Sequence, residues 1–130
     1  MILVDTSIWV HFIRAGDSSL TSLLNDANVL IHPFVIGELA VGNLRDREHF
    51  LSELKKLTFT ALASDSEVLE FVDWHRLYGL GIGYVDCHLL ASVMLTPGGS
   101  FWTRDKRLFA AARPLGVATT LPESPHGAKS

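Results

Sequence analysis

The chain opens on an unbroken apolar triplet, Ile2-Leu3-Val4, stopped by Asp5-Thr6-Ser7, residue types that start helices. The pattern predicts a buried strand running straight into a helix. Ile8, Trp9, Phe12 and Ile13 recur at helical spacing up to Gly16, and Leu20, Leu23 and Leu24 continue the pattern in a short second helix started by Asp17 or Ser18. Val29-Leu30-Ile31 reads as another apolar strand. Pro33 fits the first turn of a helix, where a missing N–H costs nothing, and residues 34–41 supply its apolar positions before Gly42 and Asn43 end it. Residues 46–57 mix charge with Phe50, Leu51 and Leu54 as a surface helix does, and residues 57–62 form a weaker candidate strand. Residues 64–78 make the clearest amphipathic helix, with Val68, Leu69, Val72 and Leu77 expected inward and Gly79 as its cap.

Gly79-Leu-Gly-Ile-Gly83 reads as a flexible connector into a helix over residues 84–95. That helix is apolar except for Asp86, His88 and Ser92, so it is expected to be central. A turn at Pro97-Gly-Gly99, a strand over 100–103, a helix over 105–112 and a last edge strand over 117–119 complete the series. Short apolar strands alternating with helices require crossover connections, hence parallel neighbours covered on both faces. The expected fold is α/β: a three-layer α/β/α domain around a central, mostly parallel sheet of about five short strands. One domain spans residues 1–122, and residues 123–130 form a loose polar tail.

Composition narrows the function. In 130 residues, 48% hydrophobic and 19% charged content is that of a folded chain with one core. A formal charge of −3 excludes a broad basic surface held to nucleic acid by counterion release, so any such contact must be local. Cys87 is the single cysteine, which removes an internal disulfide framework and a cysteine-rich zinc site and fits a reducing cytoplasm. No apolar run reaches the roughly 18 to 20 residues of a membrane span, and the N-terminus lacks the basic-then-apolar pattern of a cleavable leader. A soluble cytoplasmic protein is expected.

Ligands of open parallel sheets bind beyond the carboxyl ends of the strands. Four acids fall there or early in the helices that follow: Asp5, Glu38, Asp86 and Asp105. Each has a plain explanation taken singly. Asp5, Asp86 and Asp105 could cap helices or sit in their first turns, and Glu38 could be a paired structural acid. Together they need a shared one, because carboxylates gathered in an apolar setting repel, and a hard divalent cation is the simplest agent that keeps them ionised. All-oxygen ligands favour Mg²⁺ or Mn²⁺ over zinc. Thr6 and Ser7 are placed to orient Asp5 by hydrogen bonds, and Thr103 to orient Asp105.

In this order, Ile2-Leu-Val-Asp-Thr-Ser-Ile-Trp9, residues 33–39 around Glu38, residues 81–91 around Asp86 and Trp102-Thr-Arg-Asp-Lys-Arg-Leu108 resemble the PIN-domain ribonucleases, in particular the VapC toxins of toxin–antitoxin pairs. The resemblance covers the chain to about Thr119. It implies that Asp5, Glu38, Asp86 and Asp105 form an acidic site, with Asp5 and Asp86 the most secure metal ligands. It further implies Mg²⁺- or Mn²⁺-dependent hydrolysis of RNA phosphodiester bonds, a homodimer and a cognate VapB-type antitoxin. His11 stands where many relatives carry another acid. Arg104, Lys106 and Arg107, with Arg45 and Arg47 farther off, are candidate RNA backbone contacts. His88 is expected in the core or supporting the site, and Cys87 as inert packing. Core or subunit packing, rather than base stacking, is expected of Trp9, Trp74 and Trp102, and Trp9, Phe12 and Ile13 are the candidates for apolar surface offered to a second copy or the antitoxin.

Two rivals carry different chemistry. A phosphatase using Asp5 as nucleophile would want a second acid where Ser7 stands. A non-catalytic RNA-binding or assembly module on the same fold would have no use for clustered unpaired carboxylates.

Overall fold

The computed structural model describes residues 1–121. The tail expected over residues 123–130 lies outside the described residues. The elements run β1 (Ile2–Val4), α1 (Thr6–Ala15), α2 (Ser18–Asn25), β2 (Val29–Ile31), α3 (Pro33–Ala40), α4 (Arg47–Lys55), β3 (Thr58–Phe59), α5 (Asp65–His75), α6 (Tyr84–Met94), β4 (Ser100–Trp102) and α7 (Lys106–Ala112). Among the described residues the sheet has four parallel strands in the order β3-β2-β1-β4, flanked by helices, so the α/β expectation holds.

Strand order decides where a site can form. The chain steps outward from β1 to β2 to β3, then crosses back over β1 to β4. Right-handed crossovers put α1 to α4 on one face and α5 and α6 on the other, which makes the three layers. After β4 the chain continues to the far side, where Ala118 bridges Phe101 in parallel. The exits of β1 and β4 therefore diverge, and the crevice between their carboxyl ends is the switch point at which such sheets bind ligands.

Most of the elements follow the apolar pattern because burial and local chemistry agree. Leu3, Val4, Val29, Leu30, Ile31 and Phe101 are buried as the triplets require. Asp17 caps α2 by accepting from the N–H groups of Ser19 and Leu20, and Ser64 with Glu67 forms a capping box at α5. Helix α6 is the most enclosed, with residues 87–93 all buried.

The differences are local. The fifth strand expected over 117–119 is a single bridge, too short to extend the sheet. Helix α5 ends at His75 rather than near Gly79, because Arg76 itself takes the left-handed conformation that closes it (φ 53°). Leu69 is exposed, since the inward stripe of α5 runs through Val68, Phe71 and Val72. Trp9 is not surface for a partner: it is buried, meeting Phe12 and Phe50 edge-on at 5.9 and 6.2 Å between α1 and α4. Trp74 is instead exposed, and Trp102 is buried.

Candidate active site

Asp5 ends β1 at the crevice. Its backbone N–H donates to the Trp102 carbonyl at 2.9 Å, which fixes it beside the end of β4. Although it occupies the N-cap position of α1, its side chain makes no capping bond. Instead Oδ2 accepts from the hydroxyls of Ser7 and Thr103, each at 2.7 Å, and the residue is buried. Two neutral donors, Ser7 on α1 and Thr103 after β4, therefore orient the Asp5 carboxylate without cancelling its charge.

Thr103 differs from expectation. Its hydroxyl serves Asp5 and at the same time accepts the Asp105 backbone N–H at 3.0 Å, while the Asp105 side chain caps α7 through the N–H groups of Arg107 and Leu108. Thr6 also serves a different acid. As the first residue of α1 it points across to α3 and donates to Glu38 Oε1 at 2.6 Å. Ser7 behaves as expected, and the Arg104 N–H donates to its oxygen at 3.0 Å.

Asp86 comes from the opposite layer, in the first turn of α6, where Oδ2 accepts the Gly83 N–H at 3.0 Å. Burial pushes its carboxyl above the ordinary range. The Gly83 bond opposes this, and the negative charges of Asp5, Asp105 and Glu38 raise it further. The four acids thus share one electrostatic neighbourhood. Among the described residues the ion pairs are His11 with Asp17, Lys56 with Glu53 and His88 with Asp65, and none involves these four.

The donor set is oxygen-only and uncompensated, which suits a hard divalent cation such as Mg²⁺ or Mn²⁺. Among the described residues no three His, Cys, Asp or Glu side chains stand in an arrangement that could already hold a metal ion. Each acid is held by its own donors, and carboxylates brought closer together repel unless a cation joins them.

The basic residues lie just beyond β4. Arg104, Lys106 and Arg107 are exposed, and the Arg107 guanidinium rests on the connector where Gly81 lacks a side chain: a Cβ there would sit 2.6 Å from Nη1. Gly81 also has φ +77°, the conformation that favours glycine, whereas the exposed Arg107 side chain can move aside. Cys87 is buried, and burial followed by the Asp86 charge pushes its thiol up, which makes it unreactive.

No local pattern signals one neighbouring group. His88 is buried, and its Nε2 lies 2.9 Å from Asp65 Oδ1, which also accepts the Tyr84 hydroxyl at 2.6 Å. Those bonds hold the Asp65 carboxyl below its usual range. Asp65 reads in sequence only as the first residue after a helix cap.

An acidic crevice at the switch point of a small parallel α/β sheet, roofed by the first turn of a buried helix, defines the class. A family model described as PIN domain matches residues 2–114, and the chain belongs to that family. Within it, the chain is similar to Ribonuclease VapC32 of Mycobacterium tuberculosis, strains CDC 1551 / Oshkosh and ATCC 25618 / H37Rv. Identity is 48% over 118 residues, covering 91% of this chain and 95% of each relative.

Proposed function

We propose that this PIN-domain chain is a VapC-like endoribonuclease toxin that depends on Mg²⁺ or Mn²⁺ and hydrolyses RNA phosphodiester bonds at Asp5, Glu38, Asp86 and Asp105. The observation that carries the reading is electrostatic. Burial first, and then the charges of three other acids, raise the Asp86 carboxyl, and no lysine or arginine pairs with any of the four among the described residues. The similarity to proteins named ribonucleases supports the same conclusion.

Asp5 and Asp86, with Glu38 and Asp105, are the residues that would hold the divalent cation. When bound, such a cation supplies neutralisation of the scissile phosphate and a more acidic water. The chain's own contribution is positioning. Ser7 and Thr103 keep the Asp5 carboxylate in one orientation, Thr6 does so for Glu38, and the Gly83 N–H for Asp86. Arg104, Lys106 and Arg107 contact the RNA backbone on the β4 side, where their charge attracts phosphate that the acids alone would repel.

A cognate VapB-type antitoxin, a homodimer and a cytoplasmic setting belong to the same reading. No helix among the described residues is long and apolar enough to cross a membrane, which agrees with that setting. A groove lined by Val10, Ile13, Leu39 and Leu44 opens beside Glu38 and Arg14 and suits an apolar antitoxin segment.

The test incubates purified protein with RNA and Mn²⁺. Cleavage that stops with chelator and with Asp86→Asn is the expected result. Cleavage indifferent to both overturns the metal-nuclease reading.

A further inference from the structure

The carboxyl edge of the sheet has a second half. Asp5 and Asp105 follow β1 and β4, whereas His32, Phe34 and Asp65 follow β2 and β3, and the start of α6 brings Tyr84 and His88 against them. The buried His88 ring is met edge-on by Phe34 and by Tyr84, each with centroids 4.8 Å away, and His32 meets Phe34 at 5.1 Å. Tyr84 is tied at its far end to Asp65 at 2.6 Å. Phe34 and Tyr84 nonetheless remain 38% and 46% exposed.

Exposed aromatic rings are common, and singly they call for no explanation. These two are held in place against one histidine, and both sit on the helices that carry the acids. Phe34 lies one helical turn before Glu38 on α3, and Tyr84 two residues before Asp86 on α6. An immobilised ring face loses little freedom when a flat ligand covers it. A phosphate is disfavoured here, because the Asp65 carboxylate stands at the platform and is bonded to both Tyr84 and His88. A nucleobase needs no positive charge, and a chain of net charge −3 with few candidate phosphate contacts near the site gains from another source of grip on RNA.

We propose that Phe34 and Tyr84 form a stacking subsite for one unpaired base of the RNA substrate, beside the acidic crevice. The subsite rests on the ribonuclease reading. It grips the substrate rather than taking part in bond cleavage, so its loss raises KM and leaves kcat near that of the parent chain.

The experiment measures kcat and KM on a short unstructured oligoribonucleotide with Mn²⁺ for the unmodified chain, Phe34→Leu, Tyr84→Leu, their double variant and Tyr84→Phe. The leucine variants are expected to raise KM about 5- to 100-fold, whereas Tyr84→Phe, which keeps the ring, stays within a few-fold of the parent. Oligonucleotides made abasic at each position in turn supply the partner measurement. Removing one base near the cut is expected to raise KM for the unmodified protein and not for the double variant. Unchanged KM in the leucine variants, with the parent active, overturns the subsite and leaves the ribonuclease reading standing. A parent chain that does not cleave RNA overturns both. Leucine variants that lose antitoxin binding while keeping KM identify a protein-binding face and overturn the subsite. Should the leucine variants fail to fold, the abasic series on the unmodified protein decides, and no sensitive position overturns it.

Discussion

Thr103 donates its hydroxyl to Asp5 Oδ2 at 2.7 Å and so joins the ends of β4 and β1 through a buried side-chain bond. The same oxygen receives the Asp105 N–H, which makes Thr103 the link between two of the four acids. Replacing Thr103 with Val keeps the shape, removes the bond to Asp5 and leaves that N–H without this acceptor. A loss of about 1–3 kcal/mol in denaturant unfolding is expected, with Thr103→Ser restoring most of it. Ser7 still donates to Asp5, so RNA cleavage should fall without vanishing.

Asp86→Asn should stabilise the metal-free protein near neutral pH while removing cleavage. The folded carboxyl titrates above its ordinary value, so its favourable contribution is complete in acid and is lost as pH rises through the folded value. An amide escapes that loss and still offers an oxygen to the Gly83 N–H. Thermal unfolding in chelator at pH 7 measures the gain. Asp5→Asn should not share it, because the Ser7 and Thr103 hydroxyls donate to Oδ2 and an amide weakens both bonds.

Mn²⁺ should raise the midpoint of thermal unfolding of the parent chain, and chelator should reverse the rise. A cation present at a hundred times its Kd contributes about 2.7 kcal/mol if it binds only the folded state. Asp86→Asn should lose most of that response. An equal response in both proteins would place the cation elsewhere.

Acid should weaken the fold through His32. Its Nδ1 accepts the Phe34 N–H and its Nε2 faces the Ser92 hydroxyl in the interior, so the neutral ring is the one that fits. Burial first, then the neighbouring His88, lower its pKa from 6.5 to about 4. The unfolded chain therefore takes up the proton earlier, and stability declines as pH falls from about 6.5 towards 4, by roughly 3 kcal/mol in all. Denaturant unfolding between pH 7.5 and 4.5 should show this slope, and His32→Gln should flatten it.

The legible parts of the molecule were those written locally. Three-residue apolar runs marked β1 and β2, and Asp17, Ser64 and Pro33 marked helix starts because a cap or a missing N–H acts within one turn. The four acids stood out because apolar context makes a charge conspicuous. What local pattern could not supply was phase and partnership. The inward face of α5 excludes Leu69, and α1 buries Trp9 under Phe50, which depends on where α4 packs. Thr6 serving Glu38 and His88 meeting Asp65 join residues 32 and 23 positions apart, distances at which only the assembled topology brings side chains together. The helix end at Arg76 carries no mark in the sequence, because a non-glycine residue adopts the left-handed conformation there.

Helix α6 has seven successive residues shut inside the protein, from Cys87 onward, and Asp86 stands immediately ahead of them. Packing on all sides resists rotation or sliding of such a rod. Asp86 inherits that firmness, which makes the α6 side of the crevice its fixed wall.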